Sequence, residues 1–255
     1  MKVAILQSDI VWENPPANRS HFEVMINSIS EEVDIIVLPE MFSTGFTMNP
    51  ANVAETQQGE TVLWMQSIAK SKNCAITGSL VIEENKKFYN RMVFVFPNGE
   101  IQIYNKRHLF SLAKEETVFT SGKEKVIVDY KGWKICLQIC YDLRFPVFSR
   151  NVENYDVLLY VASWPKPRIN AWDTLLKARA IENMCYVIGV NRIGFDGNDY
   201  EYVGHSQVVD FLGNYLVEPF EEENIKIMTL DKNQMLETRQ KLNFLEDRDR
   251  FELLP

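Results

Sequence analysis

Metal-binding patterns are absent from this sequence. Only four cysteines and three histidines occur among its 255 residues. They show neither the CxxC nor the Cys/His spacing of a zinc site, which argues against a bound metal. The cysteines are Cys74, Cys136, Cys140 and Cys185, and the histidines are His21, His108 and His205. No CGSCW-like segment surrounds Cys140, which argues against a papain-like protease that pairs cysteine with histidine.

Long apolar runs and an excess of positive charge are also missing. No stretch approaches the roughly 18 to 20 apolar residues that cross a bilayer. The apolar run in the N-terminal MKVAILQSDI is too short for the h-region of a signal peptide, and no small-residue cleavage site follows it. Lys and Arg number 27 against 35 Asp and Glu, for a formal net charge of -8. Since phosphate binding requires clustered cations, we expect neither nucleic acid nor a membrane as a partner. The expected location is the cytoplasm, where cysteines stay reduced.

Short apolar runs rich in β-branched residues recur along the chain and predict strands. They cover residues 3–6, 33–38, 75–81, 92–96, 126–128, 134–139, 157–161, 186–190, 206–210 and 225–230. Apolar residues at helical spacing predict helices at residues 21–29, 62–69 and 172–184, the last with Asp173 in its first turn. Turn residues at 97–99 and 130–132 predict hairpins. With no linker or repeat, residues 1–255 are expected to form a single α/β domain containing a mixed sheet.

Three predicted strands end next to residues that carry chemistry. Glu40 follows the run DIIVLP, Lys106 follows IQIYN, and Cys140 follows WKICLQI. In layered α/β proteins, ligands collect beyond the carboxyl ends of strands. Taken alone, Glu40 is equally a solvated loop acid, Lys106 a surface cation and Cys140 a small buried apolar residue. Together they offer a carboxylate, an amine and a thiol, and a cysteine on a tight strand-to-helix turn can act as a nucleophile beside backbone N–H groups.

These segments resemble the motifs of the nitrilase superfamily of carbon-nitrogen hydrolases. LPEMFSTGF is similar to the family's glutamate segment, YNKRHLF to its lysine segment and ICYDLRFPVFSRN to its cysteine segment, in the same order and spacing. Farther along, VASWP, ARAIEN and VNRIGFDGN match the family's substrate-side loop, a helix and a turn. The resemblance covers residues 3–251 and implies an α/β fold, a four-layer α-β-β-α sandwich with two mixed sheets face to face.

The resemblance implies a catalytic role for each of the three residues. Glu40 is the general base, and Cys140 is the nucleophile that forms a thioester. Lys106 stabilises the oxyanion together with the backbone N–H of Tyr141. No metal or other cofactor is implied.

A second glutamate lies in the family between the lysine and the cysteine and is thought to position the substrate and the lysine. The loop SLAKEETVFTSG offers Glu115 and Glu116. Counting back from Ser121-Gly122 favours Glu115, although both side chains can instead be solvated.

Within the superfamily, the chain is most similar to the ω-amidases, which deamidate the distal amide of short α-keto dicarboxylic acid monoamides. The similarity rests on STGF, RHLF and the Trp164-Pro165 loop. Such a substrate needs a cation for its carboxylate, and Arg144, Arg168 and Lys166 are the candidates. Arg144 can instead pair with a buried acid such as Asp142, and we favour this structural role slightly.

Other side chains near the motifs have either a functional or a structural interpretation. The aromatic residues Phe46, Trp164 and Trp172 can wall the pocket or fill the core. His108 is expected at most to orient other groups. A helical spacing of three predicts a structural pair between Arg179 and Glu182.

The motifs leave the reaction open, because the same residues serve N-carbamoyl amino acid amidohydrolases and nitrilases. A catalytically silent binding module is a further alternative, which the intact motifs argue against. Selective alkylation separates it from an enzyme, since a catalytic Cys140 reacts and a buried structural cysteine does not. Family members commonly pair across the surface next to the active site, so the resemblance also implies a homodimer.

Overall fold

The computed structural model of the protein describes residues 1–253, so the last two residues of the predicted domain lie outside the described range. Its strands, in chain order, are β1 (Lys2–Gln7), β2 (Ile35–Val37), β3 (Ala75–Glu84), β4 (Lys87–Val95), β5 (Ile101–Asn105), β6 (Val126–Tyr130), β7 (Trp133–Ile139), β8 (Val157–Val161), β9 (Tyr186–Val190), β10 (Ile193–Phe195), β11 (Glu201–Val203), β12 (Ser206–Val209), β13 (Tyr215–Phe220) and β14 (Asn224–Thr229). Its α-helices are α1 (Pro15–Asn27), α2 (Pro50–Val53), α3 (Glu60–Lys72), α4 (Pro146–Ser149), α5 (Ile169–Asn183) and α6 (Lys232–Leu242). Among the described helices, none is long and apolar enough to cross a bilayer.

Most of the strands belong to two six-stranded mixed sheets. The first sheet has the order β14-β1-β2-β3-β4-β5, and the second has the order β13-β12-β9-β8-β7-β6. Each sheet has three parallel strands, β1-β2-β3 in the first and β7-β8-β9 in the second, flanked by antiparallel neighbours. Strands β10 and β11 form a separate short ribbon. Because parallel neighbours end at the same edge of a sheet, the loops after β7 and β8 lie side by side.

The two sheets face each other because the side chains of each strand alternate between two faces. In β1, Val3 and Ile5 belong to a core shared with the second sheet, which contributes Ile135. The intervening Ala4 and Leu6 belong to a different core, which α1 and α3 cover. This period of two places one sheet face against the other sheet and the opposite face against helices.

Helix α5 covers the outer face of the second sheet. Its Trp172 and Leu176 are fully buried. A Cβ atom at Gly189 of β9 would lie 2.5 Å from Leu176 Cδ1 and 2.9 Å from Trp172 Cζ2, so glycine lets the helix approach the sheet closely. With α1 and α3 on the other side, the layers follow the order helices, sheet, sheet, helices, and the expected four-layer sandwich with mixed sheets is confirmed.

Both predicted hairpins are confirmed. The first joins β4 to β5 through Gly99, whose φ is +86°, and the second joins β6 to β7 through Lys131 and Gly132, with φ of +48° and +76°. Positive φ at such turns suits the right-handed twist of the flanking strands.

The predicted helix starts are too late in the sequence. Helix α1 begins at Pro15 rather than at residue 21, because the Asn14 side chain caps it and proline suits the first helical position. Helix α5 begins at Ile169, so Asp173 lies beyond the first turn and hydrogen-bonds to His205 instead. The sequence pattern predicted none of β10, β11, β13, α2, α4 and α6.

Candidate active site

The three residues at predicted strand ends come together in the fold. Glu40 follows β2, Lys106 directly follows β5, and Cys140 directly follows β7. All three are buried, with exposed fractions of 0%, 1% and 9%. Glu40 and Lys106 therefore come from the first sheet and Cys140 from the second, so the site lies where the two sheets meet.

An ion cluster links Lys106 to two glutamates. Lys106 Nζ donates to Glu40 Oε1 at 2.9 Å and to the two carboxylate oxygens of Glu115 at 3.0 and 3.1 Å. All three side chains are inaccessible to solvent. Glu116 is exposed, so the structure places Glu115, and not its neighbour, beside the lysine.

Further donors fix the two carboxylates. The backbone N–H of Ser163 donates to Glu40 Oε2 at 2.7 Å, and that of Phe110 donates to Glu115 Oε2 at 2.6 Å. Asn90 Nδ2 donates to both glutamates, at 2.7 Å to Glu40 Oε1 and 3.3 Å to Glu115 Oε1. Asn90 was not predicted from the sequence, because it lies within the largely apolar strand β4.

Cys140 begins a tight turn at the end of β7. Its φ is +46°, in the left-handed region that L-residues rarely adopt, and the following Cys140–Arg144 segment is a short 3₁₀ helix. The thiol Sγ lies 4.0 Å from the carbonyl oxygen of Ser163, and the charges of Glu40 and Lys106 both act on it. A strained backbone held by its surroundings at this position is typical of a functional turn.

Asp142 ties this turn to the strand that carries the lysine. Its carboxylate accepts hydrogen bonds from the Ile139 backbone N–H at 2.9 Å and from the Tyr104 hydroxyl at 2.6 Å. It also bonds the backbone N–H and Nδ1 of His108, at 2.9 and 2.7 Å. The interpretation of Arg144 as a structural partner of Asp142 is therefore wrong, because other groups already occupy the buried acid.

Burial and charge set the protonation of the site. Burial raises the pKa of the Cys140 thiol well above its usual range, and the Glu40 charge raises it further while Lys106 opposes the rise. Burial lowers the pKa of Lys106, but the charges of Glu115 and Glu40 outweigh it and leave the pKa raised. Burial also raises the pKa of Glu115 against the opposing charge of Lys106. The resting site thus holds a protonated thiol and a charged lysine.

A cavity of about 430 Å³ opens next to Cys140. Its walls are formed by Trp12, Phe46, Met48, Asn49, Phe110, Leu112, Ala113, Cys140, Tyr141, Arg144, Ser163, Trp164, Pro165, Arg168, Asp196, Asn198, Tyr200 and Tyr202. Mixed apolar and polar walls of this size suit a small organic ligand. Among residues 1–253, no cluster of three or more His, Cys, Asp or Glu side chains could hold a metal ion.

The structure separates the candidate substrate-binding residues into two groups. Phe46 and Trp164 line the cavity, as do Tyr141 and both arginine candidates. Trp172 lies behind Trp164 in the core, with ring centroids 5.6 Å apart, and does not line the cavity. Lys166 is exposed and donates to Glu201 at 2.8 Å.

The two arginines in the cavity wall rest on aromatic rings. The Arg144 guanidinium carbon lies 4.9 Å from the centroid of the Trp164 ring, and that of Arg168 lies 5.2 Å from the Phe110 centroid. Within residues 1–253, neither guanidinium has a hydrogen-bond partner, so the N–H groups of both are available to bind an anion. By contrast, Arg179 donates to Glu182 at 3.0 Å, as predicted, and to the Leu143 carbonyl oxygen at 2.7 Å.

The β10–β11 ribbon contributes a wall that the sequence analysis did not assign to the site. Asp196 accepts hydrogen bonds from the Tyr202 hydroxyl at 2.9 Å and from the backbone N–H groups of Asn198 and Tyr200 at 2.8 and 3.1 Å. These donors fix the acid in the wall. The turn VNRIGFDGN was the one available signal for this region.

Comparison with known sequences gives a full-length match. The model of the carbon-nitrogen hydrolase family matches residues 2–240. The chain is 42% identical to omega-amidase YafV of Yersinia enterocolitica, covering 100% of this chain and 99% of that protein. It is 41% identical to omega-amidase YafV of Escherichia coli strain K12, over 99% and 98%. It is 34% identical to 2-oxoglutaramate amidase of Bacillus subtilis strain 168, over 96% of each chain.

Solved structures share the fold. XC1258 from Xanthomonas campestris, a CN-hydrolase superfamily protein with an arsenic adduct in its active site, matches with a TM-score of 0.97 and 39% identity over 99% of this chain and 98% of that chain. A carbon-nitrogen hydrolase from Helicobacter pylori G27 matches with a TM-score of 0.90 and 21% identity over 97% and 95%. The second match concerns the fold alone.

Proposed function

Since the chain belongs to the carbon-nitrogen hydrolase family and is a hydrolase of carbon–nitrogen bonds, we propose that it is an ω-amidase. Its substrates are short α-keto dicarboxylic acid monoamides such as 2-oxoglutaramate, from which it releases the distal amide nitrogen as ammonia. Relatives named omega-amidase or 2-oxoglutaramate amidase support this at 34% to 42% identity. One observation carries the proposal: a buried thiol beside a carboxylate–lysine cluster lies in the same cavity as two arginines that are open to an anion.

The first half-reaction forms a thioester. Cys140 attacks the amide carbon while Glu40 accepts the thiol proton, so that the C–S bond forms and the carbonyl oxygen becomes an oxyanion. Collapse of this intermediate breaks the C–N bond, and Glu40 passes the proton to the leaving nitrogen as ammonia departs. The raised pKa of the thiol supports the need for a base, because the nucleophile starts protonated.

The second half-reaction is hydrolysis of the thioester. Glu40 accepts a proton from water as the oxygen attacks the thioester carbon. Collapse then breaks the C–S bond, releases the dicarboxylic keto acid and returns the proton to the Cys140 sulfur. The same carboxylate therefore serves as base and acid in both halves, and no cofactor takes part.

Lys106 and the backbone N–H of Tyr141 stabilise the oxyanion in both halves. Lys106 can do so because the neighbouring carboxylates keep it charged. Glu115 also holds the ammonium, at 3.0 Å. A fixed cation in a buried site stabilises developing negative charge more strongly than the same cation does in water.

The acid end of the substrate binds Arg144 and Arg168, while Trp164 and Phe46 contact its short carbon chain. Arginine suits this task because its planar fork binds a carboxylate bidentately. Two cations in the wall also repel an α-ammonium group. The arrangement therefore favours keto acids over the corresponding amino acids.

We further propose that residues 1–255 form one domain that works in the cytoplasm as a homodimer. The four buried cysteines are free thiols, which suits a reducing compartment. The exposed apolar side chains of Ile181, Leu212 and Leu216 offer a surface for a second copy. Sedimentation equilibrium tests this, since a homodimer has twice the chain mass of 29.7 kDa.

An ammonia-release screen tests the substrate class. The panel contains 2-oxoglutaramate, 2-oxosuccinamate, glutamine, N-carbamoyl amino acids and nitriles, with Cys140→Ala as the blank. We expect release from the two keto acid amides and little from glutamine. Preferred release of ammonia with carbon dioxide from carbamoyl substrates would instead favour the carbamoylase alternative. If no compound released ammonia and Cys140 did not react with iodoacetamide, the remaining interpretation would be a catalytically silent binding module.

A further inference from the structure

The buried ion cluster contains two carboxyl groups and a single amine. Glu40 and Glu115 both contact Lys106, at closest N–O distances of 2.9 and 3.0 Å, and none of the three side chains is exposed. When both carboxyl groups are ionised, they outnumber the ammonium and leave one negative charge in this buried site. Neutral hydrogen-bond donors must stabilise the excess charge, because moving a carboxylate out of water without partners is costly.

Backbone N–H groups supply part of this stabilisation, but each serves a single carboxylate. Ser163 N donates to Glu40 at 2.7 Å, and Phe110 N donates to Glu115 at 2.6 Å. The Asn90 side chain differs, because its Nδ2 donates to Glu40 at 2.7 Å and to Glu115 at 3.3 Å. Asn90 thus bridges the same two carboxylates as Lys106, without adding charge.

Asn90 also contacts the lysine through its backbone. The Lys106 N–H donates to the Asn90 carbonyl oxygen at 2.9 Å, so one residue of β4 touches every member of the cluster. The Asn90 side chain is fully buried, and its Oδ1 has no hydrogen-bond partner among residues 1–253. An unpaired buried acceptor lowers the stability of the fold, and an apolar residue at this position would avoid that loss. The presence of asparagine at this position is explained if the donor end of the amide is needed.

We propose that Asn90 is a positioning residue of the amidase reaction, whose amide bridges Glu40 and Glu115 and holds both carboxylates where Lys106 and Cys140 use them. The role rests on the proposed function, in which Glu40 is the general base. The Asn90 side chain is fully buried and donates to Glu40 and Glu115, so it acts through these carboxylates rather than on the substrate. Loss of its donor makes the ionised carboxylate less favourable, which reduces activity first at low pH and spares substrate binding.

The test compares Asn90→Leu and Asn90→Asp with Thr77→Val. Leucine has the same branching as asparagine but is bulkier and has no donor, whereas aspartate keeps the shape and adds a third carboxylate. Thr77 is the matched control on the neighbouring β3, because it is buried and its Oγ1 has no partner among the described residues. For each variant, kcat and KM for 2-oxoglutaramate are measured across the pH range, with circular dichroism as the check on folding.

We expect Asn90→Leu to lower kcat by roughly 10- to 100-fold with KM nearly unchanged. The acid limb of the kcat–pH profile of this variant should shift to higher pH by about one unit. Asn90→Asp should shift the acid limb of the profile at least as far, because a third carboxylate adds repulsion. If Asn90→Leu does not fold, the result for Asn90→Asp decides whether Asn90 has this positioning role. Thr77→Val should behave like the wild type.

Two results would overturn the role of Asn90 in an otherwise active enzyme. One is an unchanged kcat in a folded Asn90 variant. The other is a lower kcat with an unmoved acid limb, which would indicate a purely structural contribution. A wild-type protein that hydrolyses no ω-amide would instead refute the proposed function, and this role with it, so the two failures are distinguishable.

Discussion

Replacing Lys106 by methionine tests the charge balance of the active site. The change keeps most of the side-chain length but removes the ammonium that lies 2.9 Å from Glu40 and 3.0 Å from Glu115. The two carboxylates then share a buried site without a cation, so one of them takes up a proton. A protonated Glu40 cannot act as the base, and the oxyanion loses its charged donor in the same variant.

The expected loss follows from these two effects. Removing one oxyanion donor costs roughly 100- to 1,000-fold in kcat, so we expect Lys106→Met to lose at least about 100-fold. Breaking a buried ion pair also costs about 3–5 kcal/mol of stability. Burial already raises the pKa of Glu115 against the opposing charge of Lys106, and loss of that charge raises it further. A carboxyl group whose pKa is higher in the folded than in the unfolded state destabilises the fold progressively as pH rises. The loss in free energy of unfolding of Lys106→Met should therefore be smallest at acidic pH.

Ammonia release and urea unfolding at several pH values measure both effects. Lys166→Met is the matched control, because this lysine is exposed and pairs with Glu201 at 2.8 Å. The control should keep its kcat and lose no more than about 1 kcal/mol of stability. A Lys106→Met protein within a few-fold of the wild-type kcat would refute the catalytic role. A stability deficit that does not change with pH would refute the charge-balance argument.

Further predictions concern the nucleophile, the base and the arginines. Cys140→Ala should abolish turnover with an unchanged circular dichroism spectrum, whereas alanine at each of the other three cysteines should keep activity and cost at most a few kcal/mol of stability. Glu40→Gln should lower kcat by roughly 100- to 10,000-fold but move alkylation of Cys140 by iodoacetamide to lower pH. Burial and then the Glu40 charge raise the pKa of the thiol, and the variant removes the second cause; a move to higher pH would contradict this. Arg144→Met and Arg168→Met should each lower kcat/KM for 2-oxoglutaramate, by roughly 10- to 100-fold, and hardly affect its neutral methyl ester. Equal losses of kcat/KM for the acid and for its ester would contradict carboxylate binding by these arginines and would indicate a general amidase.

The parts of the site that the sequence predicted share a local signal. Glu40, Lys106 and Cys140 each follow an apolar run that becomes a strand, and strand ends are where ligands collect in layered α/β folds. Glu115 could be chosen from its position in the loop. These residues are marked by their immediate neighbours, so a sequence without its structure is enough to propose them.

The parts that the sequence did not predict depend on contacts between distant segments. Asn90 lies inside a strand whose other residues are largely apolar, and its partner Glu40 is 50 positions away. Asp196 enters the wall on a ribbon of two three-residue strands, too short to show a period. The favoured pairing of Arg144 with Asp142 was wrong because the two residues are close only in sequence, whereas in the fold Asp142 binds Tyr104 and other groups.

The division of the active site between the two sheets has a consequence for folding. Glu40 and Lys106 follow strands of the first sheet, whereas Cys140 and Ser163 follow strands of the second. Neither sheet alone holds both base and nucleophile, so turnover can begin only after the sheets have docked. During refolding, far-ultraviolet circular dichroism should therefore recover before ammonia release does. The lag between the two signals measures how long the preformed sheets take to dock.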